Sequence, residues 1–237
     1  MEEDIFRFKQ FNVNQKGCTM KINTDGVLLA VKANQDNQVE YVLDIGTGTG
    51  VMALMLAQRY PHAYIEAIDI DEDAVLCARQ NFMNSPFKDR LEVHHTGIED
   101  YQTTRFYDLI VSNPPFFINS LKNADKRKSL SRHSSIEFYK KMFEKCGRFL
   151  TLTGAFQIIW PLEIRDQVLS LSLDADLYLN EETYIQSFPH SDPFRVISVF
   201  RKLPPDLYVS KNFEIYEKEG VYSAYYQSLL KPFFINY

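Results

Sequence analysis

The chain lacks the features that mark membrane, secreted and modular proteins. Within its 237 residues, no uninterrupted apolar run approaches the roughly 18 residues that span a bilayer. The start, MEEDIFRFK, has neither the basic residues nor the apolar stretch of a signal peptide. No internal repeat, low-complexity tract or Gly/Ser-rich linker interrupts the chain. We therefore expect one domain, spanning residues 1–237, in the cytoplasm and without a membrane segment.

Cysteine is scarce and its spacing is uninformative. Cys18, Cys77 and Cys146 are odd in number and form no close pair. Such a pattern predicts neither a disulfide framework nor a zinc site. We therefore expect a protein of a reducing compartment that holds no metal.

Apolar runs alternate with helical patterns from residue 40 onward. This alternation predicts an α/β fold with a mostly parallel sheet and helices on both faces. In such sheets, ligands bind outside the carboxyl ends of the strands. Asp71 is expected to cap the second helix, a capping box of Ser134 and Glu137 to open the third, and Gly147 to end it. The predicted strands are 40–46, 63–70, 91–96, 106–112, 155–160 and 194–200, and the predicted helices are 51–60, 73–82, 135–146 and 162–171.

A glycine-rich loop, Asp44-Ile-Gly46-Thr-Gly48-Thr-Gly50, follows the first predicted strand. Glycines let a backbone turn tightly and approach a ligand closely. The dinucleotide fingerprint requires G-x-G-x-x-G, whereas the spacing here is G-x-G-x-G. Asp44 would repel a pyrophosphate but would pair well with an ammonium group. The pattern resembles the S-adenosylmethionine loop of class I methyltransferases, which implies that the methionine ammonium and carboxylate lie against this loop.

An acidic residue ends the second predicted strand. Asp69 lies 21 positions after the second glycine of the loop, close to the interval of roughly 20 residues at which a carboxylate meets ribose hydroxyls. The alternative is a solvated turn residue. We expect Ile70 to contact the cofactor beside Asp69. The contact near the adenine could fall on any of Gly97, Ile98 and Glu99, and we assign it to Ile98.

The run SNPPFF after the fourth predicted strand suits a planar group that carries an exocyclic amine. Consecutive prolines fix their φ angles and donate no N–H, so the turn is stiff. The Asn113 side-chain oxygen and the Pro114 carbonyl, held by Pro115, could accept hydrogen bonds from the amine, and the Phe116 ring could stack on its plane. The alternative is a plain Pro-Pro turn. On a class I methyltransferase fold, this motif resembles the amino-methyltransferases, in which these four residues form the catalytic acceptor site.

A wider set of segments narrows the resemblance. MKINTDGVLLAVKA at 20–33, the glycine loop, AIDIDEDA, SNPPFF and the tail YSAYYQSLLKPFFINY together resemble the bacterial tRNA1(Val) adenine-N6 methyltransferase family. The resemblance runs from about residue 5 to the end of the chain. It implies a Rossmann-like class I methyltransferase fold with a seven-stranded, mostly parallel sheet. It further divides the domain into a lid segment (1–38), a core (39–201) and a C-terminal tail that packs on the core (202–237). Thr24, Asp25 and Gly26 of the lid segment would pack over the cofactor, and Thr24 and Asp25 would contact it.

The resemblance also implies a reaction and its partners. The cofactor would be S-adenosylmethionine, and the target would be the N6 amine of adenine 37 in a tRNA, without a metal or an obligate protein partner. The net charge of −5 argues against general coating of nucleic acid, so tRNA recognition would need a local basic patch. Five basic residues after the acceptor motif could form it, although a charge run is often only a solvated surface. They are Lys122, Lys126, Arg127, Lys128 and Arg132.

Three alternatives stay open at the level of sequence. Many adenine-N6 enzymes carry Tyr at the position of Phe116, and NPPF also occurs in guanine-N2 rRNA methyltransferases. NPPY-type turns also bind a side-chain amide, as in glutamine-N5 protein methyltransferases. A catalytically silent RNA-binding module could keep the same fold, although an intact Asn113 argues against it.

Overall fold

The structure, a computed structural model, describes residues 4–18, 20–33, 38–115 and 127–236. The side chains of residues 127–135 and of residue 167 are not part of that description. Phe116, Lys122 and Lys126 therefore lie outside the described residues, and so do the side chains of the other three basic residues predicted to contact RNA.

A mostly parallel sheet of eight strands forms the centre of the fold. Its strand order is β10-β8-β9-β7-β6-β3-β4-β5, and only β9 runs antiparallel to its neighbours β7 and β8. Seven strands were expected. Only six of the seven were located in the sequence, and neither β8 nor β10 matches any of those six ranges. The strand beyond the expected seven is β10, which comes from the tail predicted only to pack on the core. The described strands are β1 (Ile5–Arg7), β2 (Asn12–Asn14), β3 (Tyr41–Ile45), β4 (Tyr64–Asp69), β5 (Leu91–His95), β6 (Tyr107–Ser112), β7 (Leu150–Pro161), β8 (Tyr178–Gln186), β9 (Arg195–Arg201), β10 (Val209–Glu214), β11 (Tyr216–Lys218) and β12 (Val221–Tyr222).

Helices cover both faces of the sheet, as predicted. Successive side chains of a strand point to opposite faces. Val42 of β3 therefore joins a buried cluster with residues of the first three helices, whereas Leu43 joins a second cluster with residues of the fourth and fifth. No described helix is both long enough and apolar enough to cross a membrane. The described helices are α1 (Thr24–Val31), α2 (Val51–Arg59), α3 (Glu72–Met83), α4 (Arg127–Phe149), α5 (Arg165–Asp174) and α6 (Ala224–Leu230).

Helix α4 differs from its prediction at both ends. It is already helical at Arg127, so Ser134 lies inside the helix and does not open it, and it continues through Gly147 to Phe149. Gly147 has a packing role, because a Cβ atom there would lie 2.4 Å from the carbonyl oxygen of Ala175. The glycine is needed for the close approach of α4 to the end of α5, and it is not a stop signal.

The N-terminal segment is tied to α3, where the cysteine prediction is wrong. Cys18 and Cys77 form a disulfide, although they lie 59 positions apart in the sequence. Nearby, the buried Asn81 side chain accepts a hydrogen bond from the Asn14 N–H (2.9 Å) and donates to the Asn14 carbonyl (3.0 Å). The pairing of the cysteines depends on this docking of β2 against α3, which sequence spacing does not reveal.

Candidate active site

A cavity of about 430 Å³ opens at the carboxyl edge of the sheet, beyond β3, β4 and β6. Parallel strands end at the same edge, so residues far apart in sequence meet there. The cavity brings together the glycine loop, the acidic end of β4 and the acceptor motif. The predicted site residues that line it are Gly46, Gly48, Asp69, Ile70, Ile98, Asn113, Pro114 and Pro115.

The three glycines of the loop have different tasks. All three have positive φ, at 74°, 55° and 80° for Gly46, Gly48 and Gly50. A Cβ at Gly46 or Gly48 would meet no heavy atom within 4 Å, so both face open space at the cavity. A Cβ at Gly50 would lie 2.5 Å from the Phe82 ring, so that glycine allows the loop to pack on α3. Gly50 does not line the cavity.

Asp44 lies buried beneath the loop with one carboxylate oxygen unused. Its Oδ2 accepts a hydrogen bond from the Thr47 hydroxyl at 2.7 Å. Its Oδ1 is buried and has no hydrogen-bond donor among the described residues. Burial raises the pKa of Asp44 to about 7 and the charge of Asp69 adds to this, whereas the Thr47 hydroxyl and the nearby Ala53 N–H partly offset it. A cationic group that reached Oδ1 would therefore relieve an electrostatic cost.

Asp69 holds the loop in place from the end of β4. Its Oδ2 accepts a hydrogen bond from the Gly48 N–H at 2.8 Å, and its Oδ1 accepts one from the Asp71 N–H at 3.0 Å. Asp71 caps α3 as predicted, because its side chain accepts from the Asp73 N–H. Asp69 is therefore an ordered part of the cavity wall, and its remaining lone pairs can accept from hydroxyl groups.

Two isoleucines give the far end of the cavity an apolar surface. Ile70 is 75% exposed and Ile98 is 2% exposed, and both line the cavity. Gly97 and Glu99 line it as well. The three candidates for the adenine contact therefore all border the same space, facing Ile70.

The acceptor motif leaves β6 next to the N-terminal end of α1. The Ser112 hydroxyl donates to the Ile45 carbonyl at 3.1 Å, which fixes the end of the strand. Pro114 is buried, whereas Asn113 is only partly buried. The Asn113 side-chain NH2 donates to Asn23 Oδ1 at 3.2 Å. The first part of the motif thus faces the cavity in a fixed geometry.

Of the three lid residues predicted to pack over the cofactor, only Gly26 lines the cavity. Thr24 and Asp25 do not line it, whereas Asn23 and Gly26 do. Asp25 instead forms an ion pair with Arg195 of β9, with 2.8 Å between Oδ2 and Nε. This pair anchors the first turn of α1 to the sheet.

Sequence reasoning missed several residues of this site. Asn23 could have been found, because Asn directly before a helix is a common N-cap. Thr47 and Phe138, which line the cavity, carry no comparable signal. Asn81, whose NH2 also donates to the Thr49 carbonyl at 2.9 Å, supports the loop from α3. Such a long-range contact leaves no mark in local sequence.

Comparison with known proteins decides the family. The family model of the methyltransferase small domain matches residues 18–169. The tRNA1(Val) (adenine(37)-N6)-methyltransferase of Pedobacter heparinus is 42% identical, over 99% of this chain and 100% of its own. The enzyme of the same name from Phocaeicola vulgatus is 39% identical over 100% of both chains. The chain belongs to the tRNA1(Val) (adenine(37)-N6)-methyltransferase family.

The fold of the family is confirmed by a solved structure. A predicted O-methyltransferase from Agrobacterium tumefaciens superposes with a TM-score of 0.68 at 14% identity, covering 88% of this chain and 96% of its own. The Rossmann-like class I methyltransferase fold predicted from the sequence is therefore correct, apart from the additional edge strand.

The cavity of this methyltransferase suits S-adenosylmethionine, the cofactor of the fold. Asp44 is not among the residues that line the cavity, but its unused oxygen, buried beneath the loop, suits an ammonium group. Open space at Gly46 and Gly48 leaves room for the amino-acid part. Asp69 has acceptors that suit ribose hydroxyls, and Ile70 with Ile98 offers apolar surface for a base.

Proposed function

We propose that this protein transfers a methyl group from S-adenosylmethionine to the N6 amine of adenine 37 in tRNA1(Val), in the cytoplasm. The observation that carries the proposal is the single cavity shared by Asn113, Pro114 and the glycine loop. A cofactor loop alone would fit any methyltransferase of this class. The adjoining pair of acceptors selects an NH2 target, and the relatives named for adenine-N6 methylation supply the base.

The cofactor residues have separate roles. Asp44 pairs with the ammonium group, the backbone at Gly46 and Gly48 holds the amino-acid part, and Asp69 accepts from the ribose. Thr24 and Asp25 act indirectly, by holding α1 against the cavity. Bound there, S-adenosylmethionine supplies a methyl group on a positively charged sulfur, which makes that carbon electrophilic.

The acceptor residues activate a poor nucleophile. The lone pair of an exocyclic amine is delocalised into the ring, so the nitrogen must become pyramidal to react. Asn113 Oδ1 and the Pro114 carbonyl accept the two N–H hydrogens and direct the lone pair toward the methyl group. These hydrogen bonds strengthen as positive charge develops on the nitrogen, so they stabilise the transition state more than the ground state. Transfer would form the C–N bond and break the C–S bond, with S-adenosylhomocysteine as the leaving group. The extra proton becomes acidic once the nitrogen carries the methyl group and would pass to water.

Recognition of tRNA requires the target base to leave its stack. An adenine in an anticodon loop can be splayed out and stacked on an aromatic ring more readily than a base in a duplex. We assign that ring to Phe116, and phosphate contacts to the basic residues between 122 and 132.

The test is methylation of unmodified tRNA with labelled cofactor, followed by mass spectrometry of the nucleosides. N6-methyladenosine is expected, and N2-methylguanosine would replace the proposal with the guanine-N2 alternative. Asn113→Ala should lower turnover by about a hundredfold or more while changing cofactor affinity by less than roughly twofold. Asn212→Ala, on the exposed surface of β10, is the matched control. Tight cofactor binding by the wild-type protein without transfer to any RNA would support the silent module.

A further inference from the structure

Asn23 connects the start of α1 to the acceptor motif through one oxygen atom. It is the N-cap of α1, where its Oδ1 accepts a hydrogen bond from the Gly26 N–H at 2.8 Å. The same Oδ1 accepts from the Asn113 side-chain NH2 at 3.2 Å. The contact spans 90 positions of sequence, and Asn23 itself lines the cavity.

These two hydrogen bonds fix which way both amide groups face. A backbone N–H can only donate, so the Asn23 atom that it meets must be oxygen. That oxygen also meets the Asn113 amide, so the Asn113 atom facing it must be the NH2 group. The Oδ1 of Asn113 consequently lies on the other side of its amide group. Within the described part of the chain, no hydrogen-bond donor contacts that oxygen.

The residues on either side of Asn23 are held by contacts with other parts of the fold. Asp25 pairs with Arg195 of β9 at 2.8 Å. The Ile22 N–H, on the other side of the cap, donates to Gln15 Oε1 at 2.7 Å. A Cβ at Gly26 would lie 3.5 Å from both Asn113 Nδ2 and Asn23 Oδ1, so α1 begins in contact with the acceptor motif. The cap therefore presents its oxygen to Asn113 at a fixed position.

We infer that Asn23 is a positioning residue for methyl transfer, which holds the Asn113 amide with its oxygen toward the target amine. The inference rests on the proposed function. A flipped Asn113 would present its own NH2 group to the NH2 group of the base, so two donors would face each other and the lone pair would lose its direction. Orientation of a reacting group changes turnover more than substrate affinity.

Two substitutions separate this role from helix capping. Asn23→Ser keeps a hydroxyl oxygen that can cap α1, but the side chain is one atom shorter and withdraws from Asn113. Asn23→Asp keeps an oxygen for both the Gly26 N–H and the Asn113 NH2 group. The measurements are kcat and KM for tRNA methylation, the dissociation constant of S-adenosylhomocysteine and the melting temperature.

The Ser variant should lose roughly tenfold in kcat with little change in KM, cofactor-product affinity or melting temperature. The Asp variant should recover most of that loss. A kcat equal to wild type in the Ser variant would overturn the inference. A loss of kcat in both variants that is accompanied by a lower melting temperature would overturn it as well. Failure of the wild-type protein to methylate any tRNA would instead refute the proposed function, so the two failures are distinguishable.

Discussion

The buried Asp44 should make cofactor binding depend strongly on pH. Burial raises its pKa from the ordinary 3.8 to about 7 in the protein without cofactor. Only the ionised carboxylate can pair with the ammonium group. With a pKa near 7, about 3% of Asp44 is ionised at pH 5.5 and about three quarters at pH 7.5. The apparent affinity for S-adenosylhomocysteine should therefore be about 25-fold weaker at the lower pH.

The same group should also make the stability of the cofactor-free protein depend on pH, with a defined sign. Between pH 4 and pH 7 the folded protein keeps a proton on Asp44 that the unfolded chain has lost. The stabilisation is present below the unfolded pKa and is lost as the pH rises through the folded pKa. The difference between the unfolded and folded pKa values of Asp44 lowers the free energy of unfolding by about 4 kcal/mol across this pH window.

Calorimetric titration with S-adenosylhomocysteine from pH 5.5 to 7.5 would test the affinity, and urea unfolding would test the stability. The range ends at pH 7.5 because α-amino groups titrate near pH 8. Asp44→Asn should bind weakly at every pH, lose the pH dependence of affinity and unfold at higher urea concentration at pH 7.5. Asp174→Asn, on the exposed end of α5, is the control. Equal affinity of the wild-type protein at both pH values would refute the reasoning.

Three further predictions concern contacts between segments that lie far apart in the sequence. Gly147→Ala should lower the free energy of unfolding by about 1–3 kcal/mol, because its methyl group would collide with the carbonyl at the end of α5; unchanged urea unfolding would contradict this. Reduction of the Cys18–Cys77 disulfide should cost about 2–4 kcal/mol. Cys18→Ser should reproduce that loss and be insensitive to dithiothreitol, which unfolding with and without reductant would check. Arg195→Met should lower stability by about 1–3 kcal/mol, because Asp25 would keep a poorly solvated charge without its partner, and a melting temperature equal to wild type would refute it.

Local sequence predicts well the elements that border the cavity. The glycine loop follows β3 and Asp69 ends β4, and both strands are recognisable in the sequence as buried apolar runs. Parallel strands place their ends at one edge, so the meeting of this loop with Asn113 follows from the alternation of strands and helices. The first helix was not predicted, because its start within NTDG was interpreted only as part of a lid.

The errors share a physical cause. Gly147 and the Ser134 capping box carry genuine local signals of helix ends, yet α4 extends past both. At Gly147 the reason is close packing against the end of α5. Cys18 and Cys77 carry no local signal, since their pairing requires β2 to dock on α3. Tertiary contacts overrode weak local preferences in the first case and created a bond from distant residues in the second.

The sequence by itself determined the fold class and the places of the glycine loop and the SNPPFF motif, for which we propose cofactor and amine binding. These properties depend on periodicity and on short motifs, whose conformation is largely set by nearest neighbours along the chain. Only the tertiary structure decided that Asn23 meets Asn113, that Asp44 keeps an unused oxygen and a raised pKa, and that Asp25 turns away from the cavity toward Arg195. Hydrogen bonding, burial and ion pairing across long stretches of chain are properties of the folded state, so no local pattern encodes them.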